Sequence, residues 1–100
     1  MTLRAAPLFV VFAAAPLATA SAETSCLSSE EMRVAVRDGQ VIPAIKATRV
    51  ARDAAQGEVL RVRLCRDEAG LVYRVTTLAH DGRVAHVTIE GSSGKVSHMR

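Results

Sequence analysis

Residues 58–95, EVLRVRLCRDEAGLVYRVTTLAHDGRVAHVTIEGSSGK, hold three runs in which apolar and polar side chains alternate. They are punctuated by Asp67-Glu68-Ala69-Gly70, His80-Asp81-Gly82 and Gly91-Ser92-Ser93-Gly94. Alternation at period two, broken by turn residues, predicts a small antiparallel sheet. In the first run Leu60, Val62 and Leu64 share a face, opposite Val59, Arg61, Arg63 and Cys65. In the second, Leu71, Tyr73, Val75 and Thr77 alternate with Val72, Arg74, Thr76 and Leu78. In the third, Ala85, Val87 and Ile89 alternate with Val84, His86, Thr88 and Glu90.

Matching the apolar faces sets the register. A turn over Asp67 to Gly70 pairs Leu64 with Tyr73 and Val62 with Val75. A two-residue Asp81-Gly82 turn would set Val75 against Thr88, whereas a three-residue His80-Asp81-Gly82 loop sets it against Val87 and Tyr73 against Ile89. A slip of one residue turns every side chain to the wrong face, so the longer loop is expected, with Gly82 left-handed. Val96, after Gly94, is placed to add a short edge segment.

Upstream, Pro43 to Gln56 predicts a helix, with Pro43 tolerated in its first turn and Gly57 as the left-handed residue ending it. Ile42, Ile45, Ala47, Val50, Ala51 and Ala54 form its apolar side; Lys46, Arg49, Arg52 and Asp53 face outward. Ser28-Ser29-Glu30-Glu31 has the spacing of a capping box. It opens a short helix through Met32, Val34, Ala35 and Val36 that stops at Gly39.

The first residues belong to a different class. Met1-Thr2-Leu3-Arg4, the apolar run from Leu8 to Leu17 and the small residues Ala20-Ser21-Ala22 predict a secretory signal peptide over residues 1–22, destined for the periplasm or the medium. Its apolar run is about half the roughly 20 residues of a membrane span. Removing 22 of 100 residues leaves 78, a single small domain, and takes the formal net charge from +3 to +2. Phe9 and Phe12 leave with the signal, so Tyr73 is the one aromatic residue of the exported chain. A core without large rings is of marginal stability at this size. Two cysteines in an exported chain predict one disulfide, Cys26–Cys65. A redox or metal role lacks a C-x-x-C motif and a histidine at ligand spacing.

Little in the chain carries chemistry. No Ser or Cys has a recognisable base partner and no carboxylate pair falls in an apolar stretch, so no catalytic residue, metal site or cofactor is assigned. The charge is too mild and aromatic residues too scarce for nucleic acid. His80 falls in a turn, His86 on the outer sheet face and His98 at the chain's frayed end. The unusual surface is that outer face, where Arg63 falls opposite Arg74 with Arg61, Thr76, Thr88 and His86 beside them. Directly opposed like charges cost stability, which an acidic partner, an anion, or nearby Glu90, Glu30 or Glu31 could offset.

From Ile42 onward the chain resembles the PepSY domain family. The matching pieces are Ala47 to Gly57 with Glu58-Val59-Leu60, then Gly70-Leu71-Val72-Tyr73-Arg74-Val75, Asp81-Gly82-Arg83-Val84, and Val87-Thr88-Ile89 leading to Ser93-Gly94-Lys95-Val96. The resemblance implies an α+β fold with one amphipathic helix on a three-stranded antiparallel sheet. To this the present chain adds a disulfide-tethered N-terminal helix. The expected division is a signal at 1–22, a capping helix at 23–40 and a PepSY-like domain at 41–100. The family implies a module that binds or restrains a partner and transfers no catalytic residues. With no protease in the chain, action on a peptidase in cis is not expected. Two uses follow: an exported protein-interaction module that inhibits or modulates a peptidase or another envelope protein through Arg61, Arg63, Arg74 and His86, or a small-ligand or metal-binding sensory domain serving a membrane signalling protein.

Overall fold

The computed structural model describes residues 25–100, so the expected signal peptide lies outside the described residues. Seven elements follow in order: β1 (Ser25–Cys26), α1 (Ser29–Arg37), α2 (Ala44–Ala55), β2 (Gly57–Asp67), β3 (Gly70–Ala79), β4 (Val84–Glu90) and β5 (Val96–Met99). The strands form one antiparallel sheet in sequence order, β1-β2-β3-β4-β5. This corrects the expected single helix on three strands. The sheet has five strands, and α1 is part of the same core rather than an appended cap, because Ala35 is buried in one cluster with Ala47, Ala51, Leu64, Tyr73, Val75, Val87 and Ile89.

Both central hairpins have the register that apolar matching requires. Leu64 opposes Tyr73, Val62 opposes Val75, and Arg63 opposes Arg74. Val75 opposes Val87 and Tyr73 opposes Ile89. The second hairpin closes through a three-residue loop, with the Ala79 amide donating to the Arg83 carbonyl at 2.9 Å and Gly82 at φ +90°. Burial of each large apolar side chain on this inner face contributes roughly 1.5–3 kcal/mol before conformational entropy opposes it.

The α1 capping box forms as its sequence dictates. The Glu31 amide donates to Ser28 Oγ at 3.1 Å and the Ser28 amide to Glu31 Oε1 at 2.8 Å. These bonds favour the charged carboxylate and hold the Glu31 pKa below its ordinary value, the Ser28 backbone bond being the largest cause. Gly39 is left-handed after α1, as expected.

Three details differ from the expectations. The left-handed residue ending α2 is Gln56, at φ 53°, not Gly57. Gly57 instead begins β2, where a Cβ would lie 2.6 Å from the Leu78 carbonyl oxygen. Secondly, a bulge between Val59 and Arg61 makes Leu60 an extra residue in β2, so Leu60 is 56% exposed and Val59, opposite buried Thr77, takes its place inside. Thirdly, Ile45 is 67% exposed, because Ala47 and Ala51 supply the buried ridge of α2 and Ile45 falls outside it.

Tyr73 joins the layers. It is fully buried, and its hydroxyl donates to the Ile42 carbonyl at 2.6 Å in the segment between the helices. That segment is also held by the Ile42 amide, which donates to the Gly91 carbonyl at 2.8 Å, while the Gly91 amide donates to Leu71 at 2.9 Å. A Cβ on Gly91 would meet the Leu71 carbonyl oxygen and Val41 Cγ1, each at 2.7 Å. The predicted Cys26–Cys65 disulfide is present and bonds β1 to β2. Among the described residues, no helix is long and apolar enough to cross a membrane.

Candidate functional site

The helices and the buried cluster lie on one side of the sheet, so strand alternation turns a second set of side chains to the other side. On that outer face the pairings line up two transverse rows. One reads Arg63, Arg74, Thr88, His98 across β2 to β5. The next reads Arg61, Thr76, His86 and Arg100, the last joined to His86 by reciprocal backbone bonds of 2.8 and 3.1 Å. The side chains of these rows are four arginines, two histidines and two threonines, with no carboxylate side chain among them.

All four residues singled out from the sequence, Arg61, Arg63, Arg74 and His86, therefore share this face, and all four are exposed. Arg61 keeps its outward aim because of the bulge at Leu60. Without that extra residue, Val59 and Arg61 would face the same way and one of them would be misplaced. Thr76 Oγ1 lies 3.4 Å from His86 Nδ1, tying neighbouring members of the second row.

Two further members, His98 and Arg100, were not assigned from the sequence. His98 is no frayed end; it pairs with Thr88 on β5. The signal was confined to His98 and Arg100 on either side of Met99, because an irregularity at Ser97 sets Val96 opposite Ile89 and His98 opposite Thr88. His80 sits in the turn after β3, away from these rows.

The carboxylates expected to screen the arginines have other partners. Glu31 is engaged in the capping box, Glu30 pairs with Arg33 at 3.5 Å, and Glu90 accepts from Ser93 Oγ at 2.6 Å. Asp81 closes its own hairpin, accepting from the Arg83 amide at 3.0 Å and its Nε at 3.1 Å. The backbone bond to Arg83 is the main reason its pKa is held below the ordinary value. Among the described residues, no group of three or more His, Cys, Asp or Glu side chains is placed to hold a metal ion.

No family model matches the chain, and neither a curated protein nor a solved structure matches it.

Proposed function

We propose that the chain is an exported, non-enzymatic binding module. Its open sheet face, centred on Arg61, Arg63, Arg74 and His86, docks an acidic stretch of a protein partner in the cell envelope. A peptidase that it inhibits or modulates is the partner class implied by the PepSY resemblance. That resemblance rests on the sequence pattern alone, and the secretory leader on Arg4, the apolar run and Ala20-Ser21-Ala22.

The observation that carries the reading is the direct opposition of Arg63 and Arg74 on a face that neither helix covers. Cross-strand like charges are unfavourable by a few tenths to about 1 kcal/mol. Guanidinium groups set side by side favour carboxylates brought against them, and charge complementarity of this kind speeds encounter and selects partners.

Capture from an envelope extract, comparing the natural chain with an Arg61→Ala/Arg63→Ala/Arg74→Ala variant, tests the proposal. Partners captured at low salt and lost in the variant support it. Equal recovery of every partner by both proteins would exclude the basic face.

A further inference from the structure

The half of the outer face built by β3, β4 and β5 is not flat. A groove of about 270 Å³ runs along it, with Arg74, Thr76, His86, Thr88, His98 and Arg100 in its lining. We infer that this groove binds a tetrahedral oxyanion, a phosphate or sulfate group, free or carried as a monoester. The inference goes beyond the docking of a protein partner and does not require one.

The geometry points to an anion first. Arginine offers five N–H donors and no acceptor, threonine a hydroxyl donor, and histidine a ring donor. Arg74, on β3, and Arg100, just after β5, stand at opposite corners of the patch, with His98 and His86 in the other row positions beside them. Strands are spaced by about 4.8 Å, and residues two apart along a strand by about 6.7 Å. Side chains as long as arginine can therefore converge on one point above Thr88 and Thr76. A cation is disfavoured there by the two guanidinium groups.

A tetrahedral group fits better than a carboxylate. Donor-bearing residues line the groove from three neighbouring strand positions, and a phosphate presents oxygens in several directions, whereas a planar carboxylate presents two in one plane. Arginine pairs with phosphate bidentately and with high geometric specificity. The contact of His86 Nδ1 with Thr76 Oγ1 leaves Nε2 as the ring nitrogen that can turn to a ligand. At about 30 Å³ per water in the liquid, the groove has room for several waters, hence for a phosphate with a small organic substituent.

The test is an NMR titration at fixed, low ionic strength, with inorganic phosphate, sulfate, glycerol phosphate and acetate as separate arms. Phosphate or sulfate should produce saturable shifts confined to residues 74–76, 86–88 and 98–100. A His98→Ala/Arg100→Ala variant, altered only at exposed positions, should keep the remaining spectrum and bind at least tenfold more weakly. An Arg61→Ala/Arg63→Ala variant should retain the site, which separates this inference from the docking of a protein. Saturation by both phosphate arms assigns the group itself, and saturation by glycerol phosphate alone assigns the ester. Unsaturable shifts, shifts no different from those of acetate, or unchanged affinity in the His98→Ala/Arg100→Ala variant would overturn the site.

Discussion

The two faces of the sheet are built from the same strands and obey opposite rules. On the inner face the central pairings are apolar: Leu64 with Tyr73, Val62 with Val75, Val75 with Val87 and Tyr73 with Ile89, beneath two helices. On the outer face Arg63 is set against Arg74, and four arginines and two histidines share two rows. One register serves both, so the repulsion outside is tolerated because the packing inside fixes the alignment. The inner face explains why the chain folds, and the outer face is where the proposed binding function is placed.

The contrast can be broken most severely from inside. Tyr73→Ala removes the largest buried side chain and its bond to Ile42, with an expected loss of about 3–5 kcal/mol by analogy with aromatic truncations. In a domain whose total is only about 5–15 kcal/mol, denaturant unfolding should show a chain at or near the limit of folding. Tyr73→Phe should lose about 1 kcal/mol, the net worth of one hydrogen bond. If both variants match the natural chain, the inner face is not the source of stability.

Reduction of Cys26–Cys65, which closes a loop with a sequence separation of 39, should cost about 3–4 kcal/mol in unfolding experiments with and without reductant. Mass spectrometry of the unreduced protein should show the two cysteines joined. Two thiols open to alkylation would contradict the pairing.

Tyr73 also reports on pH. Burial disfavours its phenolate and raises the hydroxyl pKa. A raised folded-state pKa gives stability that is complete below the unfolded phenol value, about 10, and is lost as pH rises through the folded value. Alkaline unfolding and phenolate absorbance should therefore rise together, readable from one signal because the chain has one tyrosine. Ionisation at the ordinary value in a still-folded protein would place the ring in water.

The smallest effect should have the opposite sign. Arg63→Glu converts the pair with Arg74 from repulsion to attraction, and thermal unfolding should show a gain of a few tenths to about 1 kcal/mol, while any partner drawn to the basic face is lost. A destabilised variant would mean that Arg63 holds the sheet together instead.

The inner face was the more legible of the two in the sequence. Hydrophobic alternation fixes which residues meet, and mismatched registers fail by burying polar groups, so both hairpins followed from Leu64, Tyr73, Val75, Val87 and Ile89. What escaped was local or short. β1 has only two residues and no pattern to recognise. Alternation looks regular across Leu60, and only the pairing with β3 exposes the extra residue. Gly57 reads as a helix stop because left-handed glycines are common there, yet its requirement is steric, beside the Leu78 carbonyl. On the outer face Arg61, Arg63, Arg74 and His86 were legible because the same alternation that buries their neighbours exposes them. His98 and Arg100 were not, since β5 has too few residues to announce itself.

The central claim is that the outer arginines are not there to hold the fold. The most direct measurement is the melting temperature of an Arg61→Ala/Arg63→Ala variant. A value equal to or above that of the natural chain is predicted, because the change relieves repulsion and exposes no core. A fall of about 4–8 °C or more, corresponding to a loss of roughly 1 kcal/mol or more in a domain of this size, would contradict it and make this face part of the fold's own support.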